Sequence, residues 1–268
     1  MRYFIRFSYN GTKYHGWQTQ PNAISVQETL SRALSVILNE PIELMGAGRT
    51  DTGVHAREMF AHFDYGHTFD KIILIHKVNS FLPKDIAVYD FISVHADAHA
   101  RFDAKKRTYE YHINTIKDPF LQDGSWYYYN TLDVNLMNEA AKLLFTHTDF
   151  QCFSKSNTDV NTYNCKITEA SWEQKRHLLV FTISADRFLR NMVRAIVGTL
   201  VNIGLHKITL EDFNTILQSK DRKKAGFSVP AHGLYLTEIQ YDYIKDFDLE
   251  KGMEDDHVIP NLKSGIIN

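Results

Sequence analysis

Strand-like and helix-like periodicities alternate along this chain in an order that can be read twice, once in each half, and that repetition limits the folds open to it. Tyr3, Ile5, Phe7 and Tyr9 recur at period two and end at the turn dipeptide Asn10-Gly11, which predicts an opening strand. Ser25 and Glu28 form a capping-box pair ahead of the stripe Val26, Leu30, Ala33, Leu34, Ile37 and Leu38, so a helix is expected over 25–38. A short strand over 42–45, the loop 46–55, a strand over 59–64, a helix over 70–82 that stops before Pro83 and a strand over 86–94 follow. The order of the first half is βαββαβ.

The second half restarts the pattern. A strand over 107–113 precedes an amphipathic helix over 134–145 with Asp133 at its N-cap. Strands over 167–172 and 178–184, a helix over 188–203 stopped by Gly204 and a last strand over 234–241 complete it, with an extra helix over 210–218. The expected class is therefore α+β: two ferredoxin-like βαββαβ units joined edge to edge into an extended antiparallel sheet, helices on one face, with a cleft between the halves. The boundary is placed at residue 103, giving units 1–103 and 104–245, and 246–268 reads as an acidic, weakly ordered tail.

No stretch approaches the ~18 apolar residues of a membrane span, and the N-terminus has no cleavable leader pattern, so a soluble cytoplasmic protein is expected. Cys152 and Cys165 are too far apart for a C-x-x-C pair and too few for a zinc site, which leaves them as packing residues. The net charge of −2 is not the basic footprint usual for nucleic-acid binding. The terminal stretch from Asp242, however, holds about −4 by side-chain count, so the remainder is mildly basic. The open question is whether Arg49, Arg57, Arg101, Lys105, Lys106, Arg107, Arg187, Arg190 and Arg194, with the cluster from Lys220 to Lys224, share one face.

Three constellations carry potential chemistry. The segment from Gly46 to Ala56 gathers three glycines with Arg49, Asp51 and His55 between two strands, as suits a loop presenting one acid in fixed geometry. The plainer alternative is a structural loop in which Asp51 and Thr52 cap local N–H groups. A metal site from Asp51, His55 and His62 is a further alternative, without a second acidic cluster behind it. Around Arg101, Lys105, Lys106 and Arg107, basic residues lead into a strand with Tyr109 and Tyr111 on one side, which suits phosphate attraction with base stacking; the plainer alternative is two core tyrosines behind a solvated basic turn. Finally, Arg190 and Arg194 lie four apart, with Arg194 among Met192, Val193, Ala195, Ile196 and Val197. A partly buried guanidinium needs an anionic partner, and Asp51 from the other half is the candidate; a head that reaches water along an apolar stem is the alternative.

Together these stretches resemble the bacterial tRNA pseudouridine synthase A (TruA) family, nearly from end to end. The resemblance rests on Tyr9-Asn10-Gly11 with Tyr14-His15-Gly16-Trp17-Gln18, Val26-Gln27-Glu28, Gly48-Arg49-Thr50-Asp51 with Gly53-Val54-His55-Ala56, Arg107-Thr108-Tyr109-Glu110-Tyr111, Met192-Val193-Arg194 with Ile196-Val197-Gly198, and Pro230-Ala231-His232-Gly233-Leu234-Tyr235-Leu236. It implies an isomerase that turns uridine into pseudouridine in the anticodon stem-loop of tRNA, just 3′ of the anticodon (tRNA positions 38, 39 and 40). It implies Asp51 as nucleophile, Tyr109 against the target uracil, Arg194 paired with Asp51, and Arg49 helping to displace the nucleotide. Arg57, Lys105, Arg107 and Arg190 join Tyr109 and Arg49 as expected RNA contacts. A homodimer, no cofactor and no metal are also implied. The departures are Asn10 where the family favours Asp, Ser228 where Thr is common, and the acidic extension.

The chemistry suits these residues, because moving the uracil from an N1 to a C5 linkage needs neither a redox step nor an outside group. Attack of Asp51 on C1′, addition to the ring and a glycal route stay open at this level. Two other functions compete: a non-catalytic RNA-binding module, for which the RNP signature is missing, and a metal-dependent phosphodiesterase using Asp51 and the histidines.

Overall fold

The computed structural model describes residues 1–155 and 160–244; the acidic stretch expected to be weakly ordered lies outside the described residues. Strand β1 (Arg2–Tyr9) is followed by α1 (Val26–Leu38), β2 (Met45–Gly46), β3 (His55–Asp64), α2 (Lys71–Phe81) and β4 (Ile86–Val94). Then come β5 (Lys106–Asn114), β6 (Trp126–Tyr127), α3 (Val134–Leu143), β7 (Ile167–Lys175), β8 (Leu178–Ala185), α4 (Met192–Gly204), α5 (Leu210–Ser219) and β9 (Leu234–Gln240). The class is α+β, with one nine-stranded sheet in the order β4-β1-β3-β9-β5-β8-β7, β2 pairing with β3 and β6 with β5.

The helix starts follow the caps. Ser25 accepts the Glu28 N–H at 3.2 Å, Asp70 that of Ile73 at 2.9 Å and Asp133 that of Leu136 at 2.9 Å, each satisfying a donor that the first helical turn leaves free. Leu30 and Leu34 of α1 are completely buried, each worth about 1.5–3 kcal/mol relative to exposure.

Three expectations need correction. The sheet is mixed rather than antiparallel: β9 runs antiparallel to β5 and therefore meets β3 in parallel, at His55 with Tyr235 and Ala56 with Leu236, and β6 is parallel to β5. The strand expected over 42–45 is reduced to Met45–Gly46, because Ile42 and Leu44 turn into the core instead of pairing. Helix α4 begins at Met192, not at 188: Asn191 has φ 68°, a left-handed conformation that cannot continue a helix backward. Arg190 thus reaches inward from the turn before α4, and Arg194 from its first turn.

Two hydrophobic cores form, one between α1, α2 and strands β1, β3 and β4, the other between α3 to α5 and strands β5, β7 and β8. They exchange residues. Val54, from the first half, is buried in the second core, while Leu236, Ile239 and Tyr241 pack into the first. Tyr109 touches both. Cys152 and Cys165 are buried free thiols in the second core, both pushed up to about 12 by burial, as suits packing residues.

Candidate active site

Asp51 stands on the loop between β2 and β3, and two guanidiniums from the other half converge on it. Arg190 Nε lies 3.5 Å from Oδ1 and Arg194 Nη1 lies 3.6 Å from Oδ2. Arg194 is aimed by a second contact: its Nε donates to the Val229 carbonyl at 2.7 Å, and the Val229 N–H returns to the Arg194 carbonyl at 3.3 Å. The carboxylate is about one-quarter exposed, so the cations act on it at reduced solvent screening while a ligand can still reach it.

The loop rests on the segment that follows β1. Tyr9 Oη bonds Thr50 Oγ1 at 2.8 Å, Trp17 N–H donates to the Thr50 carbonyl at 3.4 Å, and Gly53 N–H donates to the Tyr14 carbonyl at 3.3 Å. The Val54 N–H donates back to the Asp51 carbonyl at 3.1 Å, closing a tight turn in which Gly53 takes φ 78°. Gly16 supplies the floor: at φ 84°, a Cβ there would lie 2.3 Å from the Thr50 oxygen. Gly48, by contrast, has open space around it. The sequence assigns the hinge role to the loop's own glycines, while the contacts that Tyr9, Gly16 and the Val229 carbonyl make with this site are not legible in it. The available signal was the pair of glycine-bearing stretches after β1, which chain order alone does not place beneath Asp51.

Tyr109 lies on β5, close enough to Asp51 to feel its charge. Its ring meets Phe188 edge-on at 5.1 Å between centroids. Burial pushes its phenol up to about 12, the nearby Arg107 guanidinium pulls it back, and the charge of Asp51 raises it further. Asp51, Tyr109, Arg190 and Arg194 are therefore brought together.

The other basic candidates divide. Arg49 and Arg101 are exposed, Arg101 lying 5.6 Å over the Phe102 ring. Arg57 lies 3.5 Å from Glu110 and 5.0 Å over the Tyr235 ring. Lys105 pairs with Asp242 at 3.1 Å and Lys106 with Glu238 at 3.3 Å. Arg107 is committed to backbone: Nη1 donates to Asp186 at 2.8 Å and to Ala104 at 3.4 Å, and Nη2 donates to Arg101 at 2.8 Å and to Ala47 at 2.9 Å. Through Ala47 and Asp186 it ties the halves together beside the site, which is a structural use of a residue expected to meet RNA. The histidines of the metal alternative are also occupied. His55 lies between Gly11 N–H and the His232 carbonyl, and His62 Nδ1 accepts the Ala100 N–H at 3.1 Å. Among the described residues no group of three His, Cys, Asp or Glu side chains is placed to hold a metal ion.

The mixed α+β sheet is consistent with a pseudouridine synthase fold, and a family profile described as tRNA pseudouridine synthase matches residues 140–242. The chain is 51% identical over 241 residues to tRNA pseudouridine synthase A of Parabacteroides distasonis, covering 90% of this chain and 96% of that protein. It is 52% identical over 242 residues to tRNA pseudouridine synthase A of Bacteroides fragilis, again covering 90% and 96%. The protein of that name from Aliivibrio salmonicida is 39% identical over 253 residues, covering 94% of this chain and 96% of the relative. The chain belongs to the tRNA pseudouridine synthase A family and is an isomerase of that type.

Proposed function

We propose that this isomerase forms pseudouridine in the anticodon stem-loop of tRNA, at the uridines just 3′ of the anticodon, with Asp51 as the nucleophile. The observation that carries the reading is the Asp51 carboxylate held at 3.5 and 3.6 Å from Arg190 and Arg194. The ionised acid is the form that attacks C1′ or the uracil ring, and the two guanidiniums face its two oxygens. As the C1′ to N1 bond breaks, the detached base stays against the Tyr109 ring, turns, and rejoins through C5. Base stacking on such a ring is worth about 1–3 kcal/mol. Forming the C5 to C1′ bond returns Asp51 as a free carboxylate; Tyr109 gives its hydroxyl proton to the detached N1 and, as a phenolate beside the Arg107 guanidinium, takes up the C5 proton, so the product carries N1–H with no net change in protons.

The target base is stacked in an RNA stem and must be extruded, at a cost of a few kcal/mol. Exposed Arg49 at the loop and Arg101 nearby in sequence to β5 suit that task and phosphate attraction. We also read the halves, divided near residue 103, as ferredoxin-like units: β4-β1-β3-β2 and β9-β5-β8-β7 repeat one strand order. Function as a cytoplasmic homodimer belongs to the same reading. Among the described residues no helix is long and apolar enough to cross a membrane.

The test is to incubate unmodified tRNA with wild type and Asp51→Ala and to map pseudouridine along the RNA. Wild type is expected to modify the stem-loop positions, and Asp51→Ala to bind tRNA without turnover. Turnover by Asp51→Ala, or wild-type binding without any pseudouridine, would overturn the assignment.

A further inference from the structure

His55 is 2% exposed, and both of its ring nitrogens are engaged. The Gly11 N–H donates to Nδ1 at 3.0 Å, and Nε2 lies 3.0 Å from the His232 carbonyl oxygen. A backbone N–H can only donate and a carbonyl can only accept, so the two contacts are satisfied together by one species: a neutral imidazole with its proton on Nε2. An imidazolium would set two donors against each other at Gly11. The ring is further held by stacking on Tyr235, with centroids 4.7 Å apart and planes at 25°, and Tyr235 is itself tied to the Gly124 carbonyl at 2.7 Å.

The two ends of this imidazole lead to the two sides of the reacting acid. Gly11 belongs to the segment under the Asp51 loop, whose last residues, Val54 and His55, pass into β3. His232 belongs to the turn that begins at Val229, the seat of Arg194, and Pro230, whose carbonyl takes the Tyr111 hydroxyl at 2.9 Å. His55 thus joins the support of Asp51 to the support of Arg194, across the parallel β3–β9 seam.

We infer that His55 is a positioning residue: as the neutral Nε2–H tautomer it sets the separation between Asp51 and Arg194 by bridging Gly11 to His232. The inference rests on Asp51 being the reactive acid. His232 and Asp123 are the titratable groups whose charges act on His55, and Arg57, Glu110 and His112 surround the Tyr235 ring against which it stacks. Burial holds His55 below its usual range, in keeping with a ring that stays neutral while turnover proceeds.

The first measurement does not depend on activity. In protein labelled with 15N-histidine, the His55 ring, assigned by its absence in His55→Gln, is expected to show a protonated Nε2 and a bare Nδ1 at neutral pH. A proton on Nδ1, or on both nitrogens, would sink the inference while leaving the proposed reaction untouched. The second measurement is kinetic. His55→Asn keeps an acceptor near Gly11 and loses the arm to His232; His55→Gln reaches toward His232 and loses Gly11. Each is expected to slow single-turnover isomerisation by about tenfold to a hundredfold with tRNA affinity unchanged, as small misplacements of reacting groups do. Wild-type rates in either variant, or a loss confined to affinity, would refute the role. Absence of pseudouridine with wild type would refute the proposed function instead.

Discussion

Asp51 owes its setting to charge and not to a tight hydrogen-bonded clamp, since both guanidinium contacts are longer than 3.4 Å. That looseness leaves the carboxylate oxygens available to a substrate. Arg194 serves two partners at once through the fork of its guanidinium, one nitrogen on Val229 and another toward Asp51. A lysine ammonium is a single point of charge and cannot span both. Arg194→Lys is therefore expected to lower turnover roughly tenfold to a hundredfold while tRNA affinity stays near wild type, measured by single-turnover assay alongside filter binding. Tyr109→Phe separates ring from hydroxyl: it should keep base stacking and affinity but slow the late proton-transfer step, whereas Tyr109→Ala should weaken both.

At the scale of elements, the Asp51 loop is shaped by the segment beneath it more than by its own composition. Gly16 is the critical floor residue, because its left-handed backbone and its approach to the Thr50 oxygen both exclude a side chain. Gly16→Ala is expected to cost about 1–3 kcal/mol of stability, read from denaturant unfolding, and to displace Asp51. Gly48→Ala meets open space and should leave both stability and activity close to wild type. If the two substitutions behaved alike, the loop would not be held from below. The late start of α4 has a related consequence. Left-handed Asn191, whose side chain donates to Ser228 Oγ at 2.7 Å, breaks the helix so that Arg190 approaches Asp51 from a turn and Arg194 from the helix. Sequence spacing suggested one helical face for both arginines. A single residue's backbone conformation decided otherwise.

Across the whole molecule, the halves are interlocked by exchange, with Val54 buried in one core and Leu236, Ile239 and Tyr241 in the other. The seam has only two parallel residue pairs between β3 and β9, so these side chains and the four-carbonyl grip of Arg107 matter to its rigidity. Acid should test that rigidity. Burial is the leading cause that holds His55, His62, His99 and His232 below the usual imidazole range, and His62 is lowered to about 4, with His99 and Arg2 adding to the effect. Below the ordinary value of 6.5 the unfolded chain takes up protons that the folded His62 refuses. Stability is then expected to be fully present above that pH and to fall as pH drops from 6.5 toward 4, seen as a falling melting temperature. His62→Gln should flatten part of this slope. An unchanged slope would assign the acid sensitivity to other groups.

The sequence by itself determined the class, the βαββαβ order of the first half and the helix caps at Ser25 and Asp133, and it offered Asp51 as one candidate partner for Arg194. Those properties are local, or follow from the need of a partly buried cation for an acid. Only the tertiary structure decided the parallel seam, the commitment of Arg107 to backbone carbonyls, the floor at Gly16 and the bridge at His55. Each depends on which groups meet across long separations in the chain, and period and propensity describe the faces of an element without specifying what packs against them.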